Sequence, residues 1–302
     1  MPDTSEPSIS SSSPILGPSS SFYISQRLRL HFVDWGSEGK PPLLLIHGGR
    51  DHARNWDWVA RELRKDYHVI APDLRGHGDS DWSVGGQYTL PEYVLDIAQL
   101  IDVLDLAPLR IMAHSMGAAV SLFYAGVYPE KVSKIVAIEG MKIPTPVQKL
   151  MDRDIWESTA YWIEGVKEVS RRTPRRYATI DEAAQRMQQE NPHLSAEQAR
   201  HLTQHGVARN EDGTFSWKFD NSARPVFPQR MDKDSRARLW QRITCPTLLV
   251  HGSESWHGDP REDGRAENIP HAEVAGFSDA GHWVHHDQLD GFLERTKAFL
   301  AD

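Results

Sequence analysis

The chain is short of cysteine, of positive charge and of long apolar runs. Cys245 is its single cysteine, so no intrachain disulfide can form and there are too few thiolates for a structural zinc site. Lysine and arginine total 34 against 42 aspartates and glutamates, a formal net charge of −8. A nucleic-acid binder needs a basic face to neutralise phosphates, and this balance argues against one. No run approaches the roughly 20 apolar residues that a membrane helix requires. The 15 histidines show no HExxH or similar ligand spacing, so no metal is expected. What is present is enough to fold: of 302 residues, 39% are hydrophobic and 25% charged, which excludes wholesale disorder. A reduced thiol and no targeting segment point to a cytoplasmic globular protein.

Residues 1–20 form a Ser/Pro-rich stretch with almost nothing to bury, read as a disordered tail. Asp3 and Glu6 come early and the first arginine is Arg27, against a mitochondrial presequence. From Phe22 the composition changes. FYISQRLRLHFVDWG suggests two short strands, and Pro41 to His47 is a continuous apolar run ended by Gly48-Gly49, as in a strand buried on both faces. Helical spacing over Trp56 to Leu63, Pro91 to Leu104 and Met116 to Tyr128 alternates with strand-like YHVIAP, LRIMAH and VSKIVAI. That alternation predicts a mostly parallel α/β sheet with right-handed crossovers and helices on both faces. Residues 141–240 are charge-rich and helical in character with no clear buried strand. The strand rhythm then returns in CPTLLVHG and AEVAGF, before a closing helix from Gln288 to Leu300. The expected organisation is a sheet core at 21–140 and 241–302, with a helical insertion at 141–240 placed after the sixth strand.

Four short segments carry chemistry. In Ala113-His114-Ser115-Met116-Gly117 a serine sits where a strand gives way to a helix. Small residues two before and two after let neighbouring backbones approach, and the helix start offers free N–H groups to a developing oxyanion. A helix-capping serine is the plainer alternative. Ile46-His47-Gly48-Gly49 ends the first buried strand, where a glycine pair can turn N–H groups toward that serine. Asp73 to Ser80, DLRGHGDS, lacks the last glycine of a dinucleotide loop and the lysine of a phosphate loop, so no nucleotide cofactor is expected. It reads as a glycine crossing that lines a pocket. In Asp279-Ala280-Gly281-His282-Trp283 a histidine follows the last strand, a place suited to a general base; His285 and His286 read as exposed.

Taken together, HGG at 47–49, DLRGHGDS at 73–80, AHSMG at 113–117 and AGHW at 280–283 make the chain resemble an α/β-hydrolase-fold serine hydrolase, of the capped carboxylesterase or C–C hydrolase kind, over residues 22 to 300. The resemblance implies Ser115 as nucleophile, His282 as base, the N–H groups of Met116 and Gly49 as oxyanion hole, and 141–240 as cap. In this fold the triad acid usually is an aspartate three residues after the glycine that ends the seventh strand. Here that strand is PTLLVHG and the position holds Ser255. Glu139, which ends the sixth strand in KIVAIEG, is the first choice of acid. A carboxylate there lies at the carboxyl edge of the sheet, where such folds bind ligands, and a subset of haloalkane dehalogenases carries its acid there. Glu254 is the alternative, one residue early in the usual loop. Asp259 lies too far down its loop, and Asp279 reads as a turn residue.

The implied activity is cleavage of a carboxylic ester or related acyl compound through an acyl-Ser115 intermediate, because a serine at the elbow points to carbonyl chemistry where dehalogenases and epoxide hydrolases carry aspartate. A C–C bond hydrolase or lactonase fits the same scaffold, and a catalytically silent, hydrolase-like binding protein is the reading from another class. The expected partner is a small, apolar acyl substrate; oligomeric state has no signature. The arginines at 171, 172, 175 and 176 read as a solvated face, Trp156, Tyr161, Trp162, Trp217 and Trp240 as aromatic packing between insertion and core, and Cys245 as a small buried hydrophobe.

Overall fold

A computed structural model describes residues 17–86, 88–223 and 231–301; the Ser/Pro-rich stretch through residue 16 lies outside the described residues. An antiparallel pair, β1 (Ser19–Ser25) and β2 (Leu28–Asp34), leads into β3 (Pro42–Ile46), and α1 (Asp57–Leu63) returns the chain to β4 (His68–Pro72). Two more crossovers follow: α2 (Leu90–Val103) to β5 (Leu109–His114), and α3 (Met116–Val127) to β6 (Val132–Ile138). The chain then leaves the sheet through α4 (Thr145–Met151), α5 (Ile155–Arg171), α6 (Ile180–Glu190) and α7 (Ala196–Gly206). A short ribbon, β7 (Val207–Arg209) and β8 (Phe215–Trp217), and α8 (Lys233–Trp240) complete the excursion. It rejoins the sheet as β9 (Thr247–Gly252) and β10 (Ala272–Phe277), and ends with α9 (Val284–Asp287) and α10 (Leu289–Ala301).

Eight strands form one sheet in the order β1-β2-β4-β3-β5-β6-β9-β10. β2 pairs antiparallel with β1 and β4, and every other neighbour is parallel. The apolar runs exist because each central strand is covered twice. Leu44 and Ile46 of β3 pack with Val94, Ile97 and Leu100 of α2 and Val120 of α3. Leu43 and Leu45 point the other way, to Val59 and Leu63 of α1 and Phe292 and Leu300 of α10. Successive strand side chains alternate in face, so a strand with helices on both sides reads as unbroken hydrophobicity.

The excursion between β6 and β9 departs from an all-helical expectation at the β7–β8 ribbon, whose residues are mostly half-buried or exposed. The chain turns there over Asn210 to Thr214, with Gly213 at φ 84°. α8 ends on Trp240, which is buried among the residues of α2 and α3, so this helix packs with the sheet layers. Trp156 and Tyr161 of α5 are exposed, contrary to the packing role expected of them, because Ser158 is the buried residue of that helix among those described. The arginines at 171–176 are exposed, with Arg172 paired to Glu168 and Arg176 to Asp212.

The DLRGHGDS segment is tied down by buried charge. Asp73 accepts hydrogen bonds from the Ala53 N–H (2.6 Å) and the Asp79 N–H (2.9 Å), and contacts His31 Nδ1 at 2.7 Å. Arg75, 1% exposed, donates twice to Asp96 of α2 at 2.6 and 2.8 Å, and Ser25 of β1 donates to the same carboxylate at 2.6 Å. His47 accepts the Leu74 N–H at 3.0 Å, and burial pushes its imidazole down to about 3, so it stays neutral in this role.

Candidate active site

Ser115 joins β5 to α3 with φ 51° and ψ −115°, a conformation L-residues avoid and one that holds the hydroxyl out at the carboxyl edge of the sheet. Its N–H donates to the Ile138 carbonyl of β6 at 2.7 Å. The strained turn is possible because its neighbours are small. A Cβ on Gly117 would lie 2.5 Å from the carbonyl oxygens of Ile46 and His47, so α3 starts flush against the end of β3. A Cβ on Gly48 would lie 2.8 Å from His114 Nδ1 and 3.2 Å from Ser115 Cβ. The chain after β3 therefore runs against the elbow and brings Gly49 beside Met116. Met116 opens α3, where the first amides have no intrahelical acceptor.

His282 reaches Ser115 from the loop after β10. Its Nε2 lies 2.9 Å from Ser115 Oγ and its Nδ1 2.6 Å from Glu139 Oε2. The loop is fixed from below: His114 Nε2 donates to the His282 carbonyl at 2.9 Å, and the Gly281 N–H donates to Asp287 at 2.8 Å. Burial and the neighbouring His282 hold His114 well below the usual histidine range, which keeps it the neutral donor that this contact requires.

Glu139 follows β6 directly, at φ 53°. Its side chain is fully buried, and its N–H still pairs with the Val250 carbonyl of β9 at 3.0 Å. Oε1 accepts the Gly252 N–H at 2.9 Å, and Oε2 accepts from the Ser255 hydroxyl and from His282. Glu254 goes elsewhere: its carboxylate is half exposed and lies 3.2 Å from His193 Nε2. Asp259 is taken by Arg261. Ser115, His282 and Glu139 are thus brought together and Glu254 is not.

Several neighbours carry little signal in the sequence. Ser255 shows there as a gap in a pattern, not as a donor. His114 shows only as part of the serine motif. His285 and His286, expected to be exposed, are 0% and 5% exposed. His285 stacks on Trp56 with ring centroids 4.6 Å apart and donates to Asn55 Oδ1 at 2.7 Å. The pattern misleads because α9 is one turn, too short to show a buried face. Trp256, 48% exposed, lies with its ring centroid 5.3 Å from that of His282.

Among the described residues, two groups outside this site hold enough ligand atoms for a cation: Asp57, His201 and His205, and His31, Asp73 and Asp79. In both, the central carboxylate is already engaged. Arg54 donates to both oxygens of Asp57 at 2.6 to 2.9 Å, and Asp73 receives the backbone donors described above. Cys245 is buried and its thiol pushed up to about 11 by desolvation, which makes it inert. Among the described residues no helix is long and apolar enough to cross a membrane.

A serine hydroxyl, an imidazole and a buried carboxylate in line, beside the first amides of a helix, form a set able to activate an oxygen nucleophile and stabilise an oxyanion. Comparison with known proteins agrees with the fold that carries them. The chain is 36% identical over 112 residues to human epoxide hydrolase 4, covering 37% of this chain and 31% of that protein. It is 30% identical over 196 residues to human serine hydrolase-like protein 2, covering 61% and 60%. The match to esterase YbfF of Escherichia coli is 24% over 268 residues, 86% of this chain and 93% of that protein. Among solved structures, a thioesterase domain from the curacin biosynthetic pathway superposes with a TM-score of 0.79 at 26% identity, covering 92% and 98%. The profile of the alpha/beta hydrolase fold matches residues 41–289, from just before β3 to the first residue of α10. On that span, the chain belongs to the α/β-hydrolase-fold family of hydrolases.

Proposed function

We propose that this protein is a serine hydrolase that cleaves a small acyl substrate, a carboxylic ester first of all, through an acyl-Ser115 intermediate. The observation that carries the reading is the continuous contact from Ser115 Oγ to His282 Nε2 (2.9 Å) and from His282 Nδ1 to Glu139 (2.6 Å). His282 takes the Ser115 proton as Oγ attacks the acyl carbon. The N–H groups of Met116 and Gly49 receive the oxyanion. Glu139 holds the imidazole with its Nδ1 proton facing the carboxylate and stabilises the imidazolium. The same proton then goes to the leaving oxygen, and water repeats the sequence on the acyl-enzyme. The helices α4 to α7, before α8 returns to the sheet layers, serve as the cap over this edge of the sheet.

The choice of carbonyl chemistry rests on the nucleophile. A hydroxyl forms an ester that water can reopen at the carbonyl, whereas displacement at an alkyl carbon or epoxide calls for a carboxylate. The similarity to an esterase and to a thioesterase domain supports acyl–oxygen cleavage as the first reading and acyl–sulfur cleavage as the second. The test is a panel of p-nitrophenyl esters of increasing chain length, with a fluorophosphonate probe in parallel. Wild-type protein is expected to turn over the short esters and to be labelled at Ser115. Ser115→Ala is expected to lose both, and activity retained in that variant would remove the proposed nucleophile. Folded protein that is neither labelled nor active would leave a binding protein in place of an enzyme.

A further inference from the structure

The loop after β9 grips both the buried carboxylate and the backbone that carries it. Ser255 donates its hydroxyl proton to Glu139 Oε2, the same oxygen that faces His282 Nδ1. The direction of that proton is set by a second contact: the Ser255 oxygen accepts the His257 N–H at 3.2 Å, leaving its own hydrogen for the carboxylate. Two residues on, His257 reaches back under the chain that follows Glu139. Its Nε2 accepts the N–H groups of Met141 and Lys142, each at 3.1 Å, and its Nδ1 faces the Gly258 carbonyl at 3.3 Å. Arg265 closes the loop by donating to the His257 carbonyl at 2.9 Å, and its guanidinium lies 3.1 Å from His257 Nε2. Nε2 can accept those two amides only as an unprotonated nitrogen. Desolvation, with Arg265 beside it, pushes this imidazole down to about 3, so the acceptor persists at neutral pH.

We propose that Ser255 and His257 are positioning residues for Glu139: the serine orients the carboxylate oxygen that faces His282, and the histidine fixes the turn from which Glu139 projects. This rests on the reading of Glu139 as the partner of His282.

The experiment uses the full chain and p-nitrophenyl butyrate, with kcat and KM measured across pH 5 to 9. Glu139→Gln comes first. If it keeps wild-type turnover, the assignment of Glu139 fails and takes this inference with it. With that loss established, Ser255→Ala is expected to lower kcat about 10- to 100-fold, the effect of removing a hydrogen bond to a charged group, with KM unchanged. The acidic limb of kcat/KM should move to higher pH, since a carboxylate with one donor fewer holds the imidazolium more tightly. Ser255→Thr keeps the hydroxyl and should recover most of the loss. His257→Ala should lower kcat in the same way. Ser255→Ala with wild-type kcat and pH profile would overturn the proposal. So would a loss that Ser255→Thr does not recover, or a His257→Ala variant with wild-type kcat.

Discussion

At Glu139 a carboxylate without solvent contact is answered by three donors, the Gly252 N–H, the Ser255 hydroxyl and His282 Nδ1. Glutamine there keeps the shape and removes the charge that steadies an imidazolium. Turnover of Glu139→Gln should fall by up to ~10⁴-fold. Glu254 sits half exposed beside His193, a surface contact of the kind worth at most about 1 kcal/mol. Glu254→Gln should therefore change turnover by no more than about fivefold, and steady-state kinetics on one ester separates the two. The reverse ranking would give the role to Glu254. Ser115 and His282 were legible in the sequence because each sits in a local pattern, a strand-to-helix turn and a loop after the last strand. The choice between Glu139 and Glu254 was not. Both follow buried strands, and what separates them is which carboxylate meets the imidazole, a tertiary fact with no local code. Ser255 was legible only as the place where an aspartate was missing.

The elements that position these residues are set by close backbone contacts. α3 can begin against β3 only because position 117 has no side chain. In Gly117→Ala the new methyl meets two carbonyl oxygens at 2.5 Å, and neither belongs to a flexible group. The helix must shift, carrying Ser115 and the Met116 amide with it. A stability loss of about 1–3 kcal/mol and a fall in kcat are expected together, read from urea unfolding and ester turnover; unchanged values in both would show that the elbow tolerates displacement. β3, β5, β6 and β9 announced themselves as apolar runs because two helical layers cover them. The β7–β8 ribbon did not, since each strand is three residues long and half exposed. Its Asp212-Gly213 pair was the available signal, a dipeptide suited to a hairpin turn. The buried pair of Arg75 and Asp96 was hidden for a different reason: its partners are 21 positions apart and lie in a loop and a helix. Asp96→Asn leaves the guanidinium buried with half its partner, and about 3–5 kcal/mol of stability should be lost, measurable as a lowered urea midpoint.

At the scale of the whole molecule, several imidazoles are buried and held neutral. Desolvation lowers His47, His257 and His286 to about 3, against about 6.5 in an unfolded chain. Between those values the unfolded state binds protons that the folded state refuses, so stability is complete above pH 6.5 and drains as pH falls toward 3. Each such group contributes a slope of up to about 1.4 kcal/mol per pH unit. Asp51 and Asp287 work in the opposite sense, because burial raises each carboxyl above the ordinary value and the folded state gains protons first. They are two groups against eight histidines that burial lowers. The melting temperature is expected to hold between pH 8 and 7 and to drop steeply below pH 6; a flat profile down to pH 5 by calorimetry would contradict this picture. Composition gave the count of histidines but not their burial, which follows from aromatic stacking and loop packing such as that of His285 on Trp56.

The indole of Trp256, lying half exposed with its ring 5.3 Å from that of His282, gives this site an optical gauge of its own. The fluorescence of the protein should therefore change when a fluorophosphonate group is attached to Ser115 beside that imidazole, and a Trp256→Phe variant, which leaves nine of the 10 tryptophans in place, should lose that component of the change. Occupation of the nucleophile can then be watched without a chromogenic product.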